Sequence, residues 1–189
     1  MDKDKKIKDK IEIDKTVKQK PAESERKEEE AEQEYIEKVV DISRVAKVVK
    51  GGKRFGFSTI VVVGDGKGSV GVAIGKSNDV RSSIEKGVLK AKENMTKVEL
   101  AGDYTIPHTI VGKSGAGEVL MKPAGPGTGL IAGGPVRAVL TAVGVKNILT
   151  KCLRSRNPLN VVYATMNGLN RLRSKEYIAE IREKEVNKL

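Results

Sequence analysis

The apolar run Ile60-Val61-Val62-Val63 ends at Gly64 and leads into Gly64-Asp65-Gly66-Lys67-Gly68-Ser69-Val70-Gly71-Val72-Ala73-Ile74-Gly75-Lys76-Ser77. Four consecutive β-branched residues restrict χ1 and favour a strand. Glycines in and around Gly64–Gly68 supply a tight turn with φ > 0. Beyond the turn, Val70, Val72 and Ile74 alternate with Gly71, Ala73 and Gly75, which predicts a second strand with one face stripped to small residues. Such a face lets another backbone come near. The turn glycines are also expected to allow close approach of a nucleic acid, with Lys67 and Lys76 toward its phosphates.

The same stretch imitates two nucleotide-binding motifs and fits neither. Gly66-Lys67-Gly68-Ser69-Val70-Gly71 spells G-x-G-x-x-G, but a dinucleotide fingerprint must open a helix whose N-terminus holds the pyrophosphate. Here a strand pattern follows. Gly71 to Ser77 approaches a P-loop but has three residues between its glycines instead of four, too few to wrap the loop around a phosphate. Other catalytic signals are absent: there is one histidine, His108, one cysteine, Cys152, and no HExxH, CxxC or G-x-S-x-G. No enzyme, metal, cofactor or small-molecule substrate is expected. His108, beside Pro107, reads as a surface or RNA-facing side chain rather than a catalytic base, and Cys152 as a small buried hydrophobe, with no intrachain disulfide.

Extending the pattern outward gives an α+β chain. Val45, Lys47 and Val49 alternate up to the break at Gly51-Gly52, so a strand starting near Ser43 precedes one at Phe55–Val63. After the third strand, Asn78 or Asp79 can cap a helix carrying Val80, Ile84, Val88, Leu89 and Ala91. The order is βββα. Strands are then expected at Tyr104–Val111, interrupted by Pro107, and at Glu118–Lys122, followed by the Gly/Pro-rich loop 123–129. A helix begins near Pro135 and stops at Gly144, a strand covers Val145–Leu149, and Asn157-Pro158 starts a further helix through Leu169. The expected units are a charged disordered extension (1–34), a double-stranded-RNA-binding-like βββα domain (35–98), a two-layer α/β domain (99–175) and a charged tail (176–189) that forms a fraying surface helix.

Charge names the partner class. Residues 1–40 hold 11 Lys+Arg against 13 Asp+Glu, which leaves 25 basic and 12 acidic residues, net +13, in 41–189. That field favours a polyanion. No apolar run approaches a membrane span and the N-terminus lacks a signal-peptide core, so a cytoplasmic protein without a membrane partner is expected. The cations gather at turns and element ends: Lys47, Lys50, Lys53, Arg54, Lys67, Lys76, Arg81, Lys113, Lys122, Arg137, Arg154 and Arg156. Beside glycines such as Gly51 and Gly52, whose turns expose N–H groups, they suit phosphate oxygens. A βββα unit with basic loops also fits modules that read A-form RNA by shape. Aromatic residues make up only 3% of the chain, a poor supply for a base-stacking platform.

Two groups of motifs go further. Arg44-Val45-x-Lys47-x-Val49-Lys50-Gly51-Gly52-Lys53-Arg54-Phe55 and Val62-Val63-Gly64-Asp65-Gly66-Lys67-Gly68 resemble the first domain of the small-subunit ribosomal protein five family. Gly127 to Leu140 and Asn157-Pro158-Leu159-Asn160-Val161-Val162 resemble its second domain. The resemblance runs from about Tyr35 to Leu172. It implies a βαβ crossover in the second domain and a structural role in the small subunit. It implies binding to 16S ribosomal RNA, stabilisation of the head relative to the body, a place near messenger entry, and an influence on decoding accuracy. The implied protein neighbours are small-subunit proteins four and eight, with no homo-oligomer. Val45, Ala46 and Lys47 match the loop where family members become spectinomycin-resistant, and Gly129 and Arg137 match the accuracy interface with protein four. Arg154-Ser155-Arg156 departs from the family's usual Gly-Ser before Asn-Pro, and Thr141 replaces a common Glu; both changes make the surface more positive.

Overall fold

A computed structural model describes residues 35–102 and 104–183. The expected extension 1–34 and the last six residues of the tail lie outside the described residues. The first sheet has the order β1-β2-β3-β4: β1 (Ile36–Val49), β2 (Gly52–Gly64), β3 (Ser69–Ser77) and β4 (Thr96–Lys97), all antiparallel. Strand β1 starts seven residues before the expected Ser43. A register shift between Val39 and Asp41 is the reason: the bulge sets two residues against one and breaks the alternation there.

Pairing fixes two faces. Ile60 and Val62 on β2 share a face with Ile74 and Val72 on β3, whereas Val61 and Val63 share the other with Ala73 and Gly71. Helix α1 (Val80–Glu93) covers the second face, where Val61, Val63, Ala73, Val88 and Ala91 form one cluster. Asp79 holds the N-cap position, although its side chain makes no cap bond. The small face read from Gly71 and Gly75 is what admits α1. A Cβ at Gly71 would collide with the Ala91 carbonyl, and one at Gly75 with the Ser83 carbonyl. Buried beside this contact, Thr59 Oγ1 and Ser83 Oγ lie 3.0 Å apart, and Ser83 donates to the Gly75 carbonyl at 3.0 Å.

The second sheet has the order β5-β6-β8-β7, with β5 (Ile110–Ser114), β6 (Gly117–Pro123), β7 (Leu130–Ile131) and β8 (Ile148–Cys152). Strands β7 and β8 are parallel and are joined through helix α2 (Gly134–Val143), which makes the βαβ crossover. Gly144 ends α2 at φ 94°, and the N–H of Val145 returns to Leu140 O at 3.0 Å. This Schellman closure keeps Val145 in the helix stop, so β8 begins at Ile148 and not at the expected Val145. The expected strand at Tyr104 also starts later, at Ile110. Tyr104 has φ 55° and its carbonyl accepts from Lys146 N at 2.8 Å, while Pro107 has no N–H to offer a ladder. Helix α3 (Pro158–Asn170), with Asn157 accepting from Leu159 N at 3.1 Å, packs on β5 and β6, and helix α4 (Lys175–Ile181) follows Ser174 as cap. Among the described residues no helix is long and apolar enough to cross a membrane.

The two sheets share a core. Ile60, Val62, Val70 and Val72 of the first sheet join Val136, Val139, Leu140 and Val143 of α2. The first sheet is thus covered by α1 on one face and by α2 on the other. At the seam the β2–β3 turn caps α2: Gly66 N donates to Ala142 O at 3.0 Å and Gly68 N to Val143 O at 2.9 Å. A Cβ at Gly64 would collide with the Ala142 carbonyl, and one at Gly144 with the Gly66 carbonyl. The backbone that comes close to Gly64, Gly66 and Gly68 from within the chain is therefore a helix end. Asp65 fixes the turn. Burial opposes its ionisation, but the Lys67 and Ser69 N–H groups, each 2.8 Å from Oδ1, hold its carboxyl below the ordinary 3.8.

Candidate nucleic-acid interface

The β1–β2 hairpin runs past both covering helices. From Ile42 to Gly64 there is no acidic residue, while Arg44, Lys47, Lys50, Lys53 and Arg54 fall within the same stretch; all five are exposed. The register sets Lys47 opposite Arg54, Val48 opposite Lys53 and Val49 opposite Gly52. Lys47 and Arg54 therefore point to one face and Lys53 to the other, with Lys50 and Gly51 at the tip. Gly52 has φ 131°, and neither Gly51 nor Gly52 has anything within 4 Å of a built Cβ. The hairpin tip is therefore uncrowded. Val45 and Ala46 are exposed on the same strand. Arg44, which sequence reading did not single out as an RNA contact, stacks on Phe55 with its guanidinium carbon 4.0 Å from the ring centroid; the signal was the alternation that places residues 44, 46 and 55 on one face.

The other expected cations sit elsewhere. Lys76 is exposed on β3 opposite Ser58, on the face of Lys47 and Arg54. Arg81 lies in the first turn of α1 and pairs with Glu85 at 3.1 Å. Lys67 is exposed on the turn that caps α2.

On the second sheet the register puts Lys113, Leu120, Lys122, Leu149 and Lys151 on one face, away from Val119, Met121 and Ile148, which pack in the core. Lys151 escaped sequence reading because β8 was expected to end at Leu149. This face is partly neutralised. Lys113 Nζ lies 2.8 Å from Glu118 Oε1 and Arg154 Nε 3.2 Å from Oε2, and the Glu118 side chain is 16% exposed. The hydrogen bond from Lys113, with the charge of Arg154 added and partial desolvation opposing, depresses the Glu118 pKa. Arg156 is exposed in the loop before α3. Gly129 and Arg137 come together at the βαβ unit: Gly129, φ 74°, donates to Asn147 Oδ1 at 3.1 Å just before β7, and Arg137 Nη2 lies 3.5 Å from the Leu130 carbonyl.

This arrangement has known relatives. Residues 35–99 match the family model described as ribosomal protein S5, N-terminal domain, and residues 112–182 match that of the C-terminal domain. The small ribosomal subunit protein uS5 of Syntrophobacter fumaroxidans is 56% identical over 161 residues, covering 85% of this chain and 96% of that protein. Its counterpart in Lawsonia intracellularis is 51% identical over 156 residues, covering 82% and 95%. With both family domains present in order, and relatives of this identity aligned over nearly their whole length, the chain belongs to the ribosomal protein S5 family, whose role in the ribosome is structural and not enzymatic.

Proposed function

We propose that the chain binds 16S ribosomal RNA in the small subunit of the cytoplasmic ribosome, with the β1–β2 hairpin as its principal contact. The observation that carries this reading is the hairpin: five exposed cations, no carboxylate from Ile42 to Gly64, and an open glycine tip. Phosphates drawn to Lys47, Lys50, Lys53 and Arg54 would find an uncrowded tip at Gly51 and Gly52. Lys67, Lys76, Arg81, Lys113, Lys122, Arg154 and Arg156 supply further backbone contacts. Residues 35–98 act as the double-stranded-RNA-binding-like domain and 99–175 as a second domain. Joined at the α2 seam, they form one wedge that holds the head relative to the body near messenger entry. Gly129 and Arg137, close together at β7, meet small-subunit protein four and set decoding accuracy; protein eight is the other protein neighbour.

The test is salt dependence. Lys50→Ala, Lys53→Ala and Arg54→Ala should each weaken binding to 16S fragments and flatten the plot of log affinity against log salt by about 0.7–0.9 per lost phosphate contact. An unchanged slope in all three would show that the hairpin cations remain solvated, and loss of co-sedimentation with small subunits should accompany the triple variant.

A further inference from the structure

We propose that the hairpin face carrying Phe55 and Arg44 is a stacking subsite for one unpaired RNA base. The subsite rests on the RNA-binding reading above and adds a class of ligand to it. The face is set by register: Ala46 lies opposite Phe55, Val48 opposite Lys53, and Arg44 diagonal to Phe55. Two residues on, Phe57 is half-buried opposite Ser77, just before α1 begins. Phe55 lies past the reach of that helix and is 51% exposed; Val48, next along the face, is 75% exposed. The small Ala46 leaves the ring's flank open, and the Arg44 guanidinium 4.0 Å from the centroid holds the ring in place.

A large aromatic left in water on a polycationic hairpin needs a partner that is flat and anionic at once. A nucleotide has both properties, a π face for the ring and a phosphate for Lys53 or Arg44. Within a regular duplex the bases are already stacked on one another, so the ligand must be a bulged, looped or junction nucleotide. Lys47 and Arg54, on the opposite face, are placed to hold the phosphates of the neighbouring paired strand. The scarcity of aromatic residues argues against a platform for a long single strand, but one base needs only one ring.

The experiment uses the full chain and two short RNA duplexes, one fully paired and one with a single unpaired 2-aminopurine. The chain should bind the bulged RNA about 5- to 150-fold more tightly, the range that one base–aromatic stack supplies, and should quench the 2-aminopurine fluorescence. Phe55→Leu, which keeps an apolar strand residue without the π face, should abolish the preference and the quenching while leaving affinity for the paired duplex and its salt slope intact. Phe55→Tyr should retain both. A bulge preference that survives Phe55→Leu overturns the subsite. Unchanged RNA binding by Phe55→Leu together with weakened association with small subunits would assign the face to a protein neighbour instead. Failure of the unmodified chain to bind either duplex would overturn the RNA-binding reading itself.

Discussion

Replacing Gly64 with alanine tests whether the two sheets are locked together through one backbone contact. The added methyl would collide with the Ala142 carbonyl oxygen and lie 2.9 Å from Ala142 Cβ. Neither atom belongs to a flexible side chain that can swing away, so α2 must shift. Overpacking of this kind costs about 1–3 kcal/mol. The shift also stretches the bonds from Gly66 N to Ala142 O and from Gly68 N to Val143 O, 3.0 and 2.9 Å long, each worth about 1 kcal/mol. A loss of about 3 kcal/mol is expected. For a protein of this size that lowers Tm by about 6–12 °C, read by circular dichroism or calorimetry. Gly51→Ala is the control: nothing lies within 4 Å of its added methyl, so its change should stay within about 0.5 kcal/mol. If Gly64→Ala melts with the unmodified protein, the seam is looser than the contact implies and the turn does not hold α2.

Removing the Asp65 carboxylate leaves the N–H groups of Lys67 and Ser69 without their acceptor, so Asp65→Ala should lose about 1–3 kcal/mol at neutral pH. Because the folded-state pKa of Asp65 lies below its unfolded value, its contribution is present above about pH 4 and lost as pH falls through the folded value; acid titration of stability should therefore be shallower in the variant than in the unmodified chain. Glu118→Gln releases Lys113 and Arg154 from their shared carboxylate, and the salt dependence of RNA binding should steepen; an unchanged slope would place that face outside the RNA interface. Arg137→Ala should alter misreading while changing stability by less than about 0.5 kcal/mol, since Arg137 is exposed and reaches Leu130 O only at 3.5 Å; an unfolded variant would show that it packs.

What could be read from the sequence was local. Glycine pairs and β-branched runs placed the β1–β2 and β2–β3 hairpins, and Asn157-Pro158 and Gly144 placed a helix start and a helix stop, because caps and turns depend on a few neighbouring residues. Strands β4 and β7, two residues each, are too short to show a period. The start of β1 was hidden by a bulge, and β8 shifted because a helix closure absorbed Val145. The seam between Gly64 and Ala142 joins positions far apart in the chain, and no local pattern encodes it. For the candidate interface, the charges were legible but not their partners. Lys47, Lys50, Lys53 and Arg54 have no carboxylate partner among the described residues, whereas Arg81, Lys113 and Arg154 do. Only the register of the hairpin reveals that Arg44 and Phe55 form a pair.

The cover that α2 places over the first sheet has a consequence in time. During synthesis Ile60, Val62, Val70 and Val72 emerge before Val136 and Leu140, which must cover them. Roughly 60 residues separate the two sets, which at about 5–20 residues per second leaves an apolar sheet face uncovered for roughly 3–12 s in every round of translation. The hairpin cations are already present in that interval. A nascent chain of this protein therefore carries an open greasy face and an open RNA-binding tip together, and its safe passage depends on how soon residues 134–143 leave the ribosome that makes them.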